Sequence, residues 1–369
     1  GNRAPGDWGG LVIVGNALDN RCVTGGVCTL FTEGPQGTGQ DVGENYGGGT
    51  DPNDNSGTLK YVRIEFAGFA VLKDQELNSV SSYVVGSGTQ YDYVETIAGL
   101  DDAFEFFGGG AQLRHLISFE TGDDHFDWSE GFQGKGQWMI ALQTTVIQPR
   151  AGAGFVSTDP RGFEGDGCEI DKAGCTGFGI APYSQPFFAN FTIIGPGPGV
   201  FTPTDGNGMV VRRGSGGTFV NGVVARWPGF AISVRDSASL KELERDSLIV
   251  RNLVFAENGA NFEPAGTNFG QKDRFANASI TEATGAATSL FVNLPAAKAV
   301  PDIATIDFTP AAGGALASGG LTTFPAVIQA RAGNFFGGSI TPTSYVGAVD
   351  PAGGTNGKWW QGWTAYYTK

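Results

Sequence analysis

The chain has 369 residues, among them 60 Gly and 27 Phe, with 40% hydrophobic residues, 16% charged residues and a formal net charge of −14. Glycine at this level without a Gly-X-Y period excludes collagen, and so apolar a composition excludes a disordered chain. The acidic balance excludes nucleic acid and anionic membrane surfaces as partners.

No apolar run approaches the roughly 20 residues of a membrane span. The opening residues 1–5 do not form a charged-then-apolar leader, so a secreted protein is expected to be processed or to lack its first residues here. Residues 7–15 read directly as a buried-type strand, Leu11 to Val14 at its centre. A Gly/Asn/Asp-rich loop follows over 16–57. It holds Cys22 and Cys28, which bracket a short glycine loop, as Cys168 and Cys175 do later. Two local disulfides in an oxidising compartment are expected; a metal site is the rival reading, but no His stands at ligand spacing.

Strand-like segments then end in similar ways at Tyr61–Gly68, Tyr93–Gly99 and Leu116–Gly122. The stretch 99–131 repeats itself at an offset of 22 residues: Asp101-Asp102-Ala103-Phe104-Glu105-Phe106 recurs as Asp123-Asp124-His125-Phe126-Asp127-Trp128. Strand-like alternation at this period is what one turn of a parallel solenoid requires, each turn advancing by roughly 4.8 Å. Alternation puts Phe104, Phe106, Phe126 and Trp128 in the core. It puts Glu105 and Asp127 outward, with Ala103 and His125 in the same outward column. Val62 to Val94 is 32 residues, a turn with a ten-residue bulge.

Residues 146–186 read as one long excursion, and the rungs resume from Phe188. Lys241–Arg245 reads as a short helical turn. From about 257 the pattern loosens, and the aromatic run 358–367 is suited to covering an open end of the solenoid. The expected fold is all-β: a single right-handed parallel β-helix over 1–369, with core rungs over about 7–256, long loop insertions, and a C-terminal capping region from 257 that includes the aromatic cap.

The acids Asp101, Asp102, Glu105, Asp123, Asp124, Asp127 and Glu130 form a ladder whose like charges need compensation. Arg114 or His115, a cation, or backbone N–H groups could supply it. Three readings stand. Asp side chains cap turns by accepting backbone N–H bonds; several carboxylates hold Ca²⁺; or Glu105, Asp123 and Asp127 act as acid and base on a glycosidic bond. The triplet Gly122-Asp123-Asp124 is similar to one in pectin-cleaving hydrolases, but their His-Gly and Arg-Ile-Lys motifs do not occur here. Asn190 and Asn277 fit the N-glycosylation sequon. Ser237 and Ser247 each follow an Asp in a short bacterial O-glycosylation pattern.

Several stretches taken together resemble a family of bacterial extracellular right-handed β-helix proteins of unassigned function. They are GDWGGLVIVGNA (6–17), DNSGTLKYVRIEFAG (54–68), GSGTQYDYVE (86–95), DDAFEFFGG (101–109), GDDHFDWSEGFQGKGQ (122–137) and YVGAV…GWT (345–364). Many members of that family carry type IX secretion sorting domains. The resemblance implies fold and an extracellular or cell-surface location, and no activity. Members usually have rungs before the GDWGG strand; with none here, an uncovered first rung suggests stacking of copies. The expected function is therefore a structural or binding protein outside the cell, its partners being carbohydrate and itself as the repeating subunit of a glycosylated filament. The alternative is a polysaccharide hydrolase or lyase.

Overall fold

The computed structural model describes residues 3–26, 28, 30–33, 44–70, 76–169, 172–201 and 206–368. Within them, strands coil into two long sheets of seven and ten strands in which the neighbours run parallel. The 22-residue offset is the observed register: Phe126 pairs with Phe104, Asp127 with Glu105 and Trp128 with Phe106. Val94 likewise pairs with Leu116, and Val62 with Val94 across the longer turn. The Phe104 and Phe126 rings stack at 5.4 Å inside the solenoid. Like residues in register keep a stacked column continuous from rung to rung.

Gly165 shows how tightly this core is filled, because a Cβ there would lie 2.2 Å from the Trp128 ring. Gly165→Ala is expected to cost about 1–3 kcal/mol by overpacking, read as a lower denaturation midpoint. An unchanged midpoint would show a looser core.

The segment read as one excursion contains a rung. Arg161–Gly165 pairs with the strand at Phe126, so Phe163 continues the aromatic column 37 residues on. The disulfides Cys22–Cys28 and Cys168–Cys175 both form, each in a loop beside the seven-stranded sheet. The predicted helical turn is the helix Ser237–Glu244, capped by the Asp236 carboxylate.

The aromatic tail does not close an end; this expectation is corrected. In the ten-stranded sheet Tyr61, Tyr93, His115, Trp138, Asn190, Asn221 and Asn252 share one position, all with φ between 52° and 61°. Left-handed backbone is uncomfortable for aromatics. Here the rings offset that strain by stacking, Tyr61 on Tyr93 at 4.6 Å, Tyr93 on His115 at 4.3 Å and His115 on Trp138 at 5.3 Å. The C-terminal segment runs back along this column. Asn252 bonds the Gly319 carbonyl, Asn190 bonds Thr343 and Gly347, Trp138 bonds Tyr345, and His115 meets Asn356. Trp363 lies edge-on to Tyr61 and Tyr93. The physical reason is the outer face of this sheet: Ile97, Ile117, Phe119, Ile140 and Ile194 are apolar and must be covered.

The far end is closed instead by Phe262, Phe269, Phe275 and Ile280 against the core. There the last strand, Thr281–Ala283, carries Glu282, ion-paired to Lys272. At the other end Val12, Val14 and Tyr61 are exposed on strands that have one pairing neighbour each.

Candidate functional site

One face of the seven-stranded sheet forms the floor of a cleft of about 920 Å³. Register builds its centre. Glu105, Asp127 and Glu164 occupy one outward position on three successive rungs, and Asp102, Asp124 and Arg161 occupy another. Asp101 and Asp123 sit at the turn beside them. The loops at 31–33 and 155–158 form walls. All seven acids of the predicted ladder therefore line one cleft, joined by Glu33, Glu76, Glu164, Asp166 and Glu169. Among the described residues, twelve carboxyl groups face five cations: Arg21, Arg161, Lys172, Arg212 and Arg213.

The acids are not equivalent. Asp102 Oδ1 accepts the Asp124 N–H at 2.8 Å, and Asp124 Oδ1 accepts the Arg161 N–H at 2.6 Å, so these two cap the turns between rungs. Glu130 is neutralised in the wall by Arg21 and accepts the Tyr46 hydroxyl at 3.0 Å. Arg161 reaches Glu164 at 2.5 Å and Asp124 at 3.3 Å, and Arg212 ties Glu164 to Asp166. Glu105 accepts from the Asn78 amide. In Asp123 and Asp127 the Oδ1 has no hydrogen-bond partner among the described residues; Asp127 is 9% exposed and stands in register between Glu105 and Glu164.

Three sets of carboxylates bring ligand oxygens within 4.8 Å of one another: Asp101, Asp102 and Asp123; Asp102, Glu105 and Asp127; Asp124, Asp127 and Glu164. Burial, reinforced by neighbouring acids, pushes the carboxyls of Asp101, Asp102, Glu105, Asp124 and Asp127 well above the ordinary range. Burial also raises Asp123 to about 7 and Glu33 to about 8. A protein near neutral pH must hold protons or cations in such a cleft.

Other expectations are corrected. Arg114 and His115 do not compensate the ladder: both bind Asp92 on the ten-stranded sheet, at 2.8 Å in each case. His125 is not outward. The strand begins one residue later, at Phe126, so alternation does not extend to position 125. His125 is buried with Nδ1 2.6 Å from Ser118 Oγ, and burial lowers its pKa to about 3. Asn190 is wholly buried with its amide bonded to the C-terminal segment, which leaves no room for a glycan. Asn277 and Ser237 are exposed, and Ser247 is half-buried.

The residues that sequence reasoning missed came from the inserted turns. Arg161 and Glu164 carried a signal, since Phe163 follows Phe126 in the aromatic column. Glu33, Glu76, Arg212 and Arg213 carried none, because their positions depend on how loops return across the sheet.

Parallel rungs with an acid-lined sheet face define a class: β-solenoids with a cleft along one flank. Residues 1–297 match the family described as pectate-lyase-like β-helix domains, and the chain belongs to that family. Nothing among the curated proteins or the solved structures matches it. No helix among the described residues is long and apolar enough to cross a membrane.

Proposed function

We propose that the protein is an extracellular binding protein, its coil right-handed as parallel crossovers overwhelmingly are, whose cleft holds Ca²⁺ and through it an acidic polysaccharide. The observation that carries this reading is Asp127, a buried carboxylate with an unpartnered oxygen at the junction of two of the three carboxylate sets. A hard cation with several oxygen ligands suits such sets. Ligand carboxylates would complete its coordination, and Arg212 and Arg213 extend the cleft as anion contacts. The two disulfides and the family favour export.

Asp127→Asn should abolish most of the rise in Tm that millimolar Ca²⁺ produces, because a ligand bound by the native state alone stabilises it by mass action. Differential scanning fluorimetry reads this directly. If the substituted protein gains as much from Ca²⁺ as the parent, the cation lies elsewhere.

A second reading is favoured by the size of the cleft, which admits several sugar units. In it, Glu105, Asp123 and Asp127 cleave the bound polysaccharide by hydrolysis or elimination. Product release that vanishes in Glu105→Gln and Asp127→Asn would establish catalysis over binding. The filament reading finds no support at the end that Phe262, Phe269 and Phe275 close against the core.

A further inference from the structure

We propose that a second groove, at the glycine-rich corner between the two sheets, binds an anionic sugar unit bearing a sulfate ester or a carboxylate. This groove has a volume of about 380 Å³, and among the described residues its lining of sixteen includes no acid. In a chain of net charge −14 that absence is informative, the more so beside a cleft lined by twelve acids.

Two cations face the groove without a carboxylate partner. Lys135 donates to the Gly333 carbonyl, and no acid lies within ion-pairing distance of it among the described residues. Arg331 donates to Thr218 Oγ1 at 3.0 Å, to the Ser247 carbonyl at 3.2 Å and to the Asp246 carbonyl at 2.8 Å. Those partners are neutral; the Asp246 carboxylate acts on Arg331 only from beyond ion-pair range. Burial lowers the pKa of both side chains, the direction expected of a cation taken from water with no counter-ion. A bound oxyanion would supply the missing charge through strong charge-assisted hydrogen bonds.

The rest of the lining suits a hydroxylated scaffold. Asn334 donates to Ser87 Oγ at 3.3 Å, and Ser87 donates to Asn53 Oδ1 at 3.1 Å, a polar thread along the wall. Gln133 adds an exposed amide. The floor at Gly109, Gly110 and Gly131 has no side chains, so a flat ring approaches the backbone closely. Amides, a hydroxyl and bare backbone recognise sugar hydroxyls, and the two cations select a charged sugar.

Calorimetric titration of the full chain in EDTA, which keeps the acidic cleft free of cations, tests this. The probes are inorganic sulfate, a sulfated galactan hexasaccharide, a galacturonate hexasaccharide and a neutral galactan hexasaccharide. At least one charged hexasaccharide should bind about tenfold or more tightly than the neutral one, and the tighter of the two identifies the charged group. Lys135→Gln should weaken that binding by at least tenfold, while Lys298→Gln, at an exposed cation that lines neither cleft, leaves it unchanged. Gln133→Trp, which fills the groove from an exposed position, should also block binding and serves if Lys135→Gln does not fold. Equal binding of neutral and charged sugars would overturn the proposal, as would binding that survives both groove substitutions. Binding of inorganic sulfate alone would mean an adventitious ion only, and would overturn it too.

Discussion

Stripping divalent cations will lower the Tm at pH 8 by about 5 °C or more and leave it nearly unchanged at pH 5. The cause is the excess of acids in the cleft. Glu33, Asp123 and their neighbours have folded-state pKa values raised above the unfolded values of 4.5 and 3.8. The folded state therefore binds protons that the unfolded chain releases. Such groups contribute stability that is fully present below pH 4 and lost as pH rises toward about 8. Without cations, stability should fall across that window. Ca²⁺ takes the place of the protons, so in its presence the decline should flatten. Groups shifted the other way, such as Asp92 at about 2, lose their contribution only in stronger acid. Thermal melts at several pH values with Ca²⁺ or EDTA decide the matter. A Tm that is flat from pH 5 to 8 in EDTA would remove both the cation reading and the stacked-acid electrostatics.

Deleting residues 341–369 will cost the native state more than any single substitution proposed above. The segment packs in one apolar cluster with Ile97, Ile117, Phe119, Ile140 and Ile194, Tyr366 lying 5.2 Å from the Phe119 ring, and exposing side chains of this size costs roughly 1.5–3 kcal/mol each. It also satisfies buried polar groups. The Ala365 N–H donates to Glu95, which burial has pushed up to about 9. Tyr366 donates to Glu120, which is held at about 7. Removing those donors leaves two buried carboxyls short of partners, along with the amide of Asn190. The expected product is an aggregating or molten solenoid, visible by light scattering and loss of near-ultraviolet dichroism. A truncated chain that melts like the parent would show that the segment is an accessory.

The two outcomes bear on different kinds of legibility. The rung register is legible in the sequence, because stacked strands repeat their residue types at a fixed offset. Phe104 over Phe126 and Glu105 over Asp127 follow from a single offset. The acid cluster was legible for the same reason, down to seven of the twelve carboxyl groups. His125 was misplaced because alternation holds only while the chain stays extended, and it bends before Phe126. The C-terminal aromatics were misassigned because a run of Trp and Tyr announces burial without saying against what.

By itself, the sequence determined the parallel solenoid, the inward aromatic column, the outward acids and the local cysteine pairs, all products of short offsets and alternation. Only the folded chain shows that Arg161, Arg212 and Arg213 meet those acids, that Lys135 and Arg331 have no ion-paired acid among the described residues, and that the tail runs along the Tyr61–Asn252 column. Those contacts join residues tens to hundreds of positions apart across insertions of unequal length. Their geometry is set by which apolar face each returning loop must cover, and no local period encodes that.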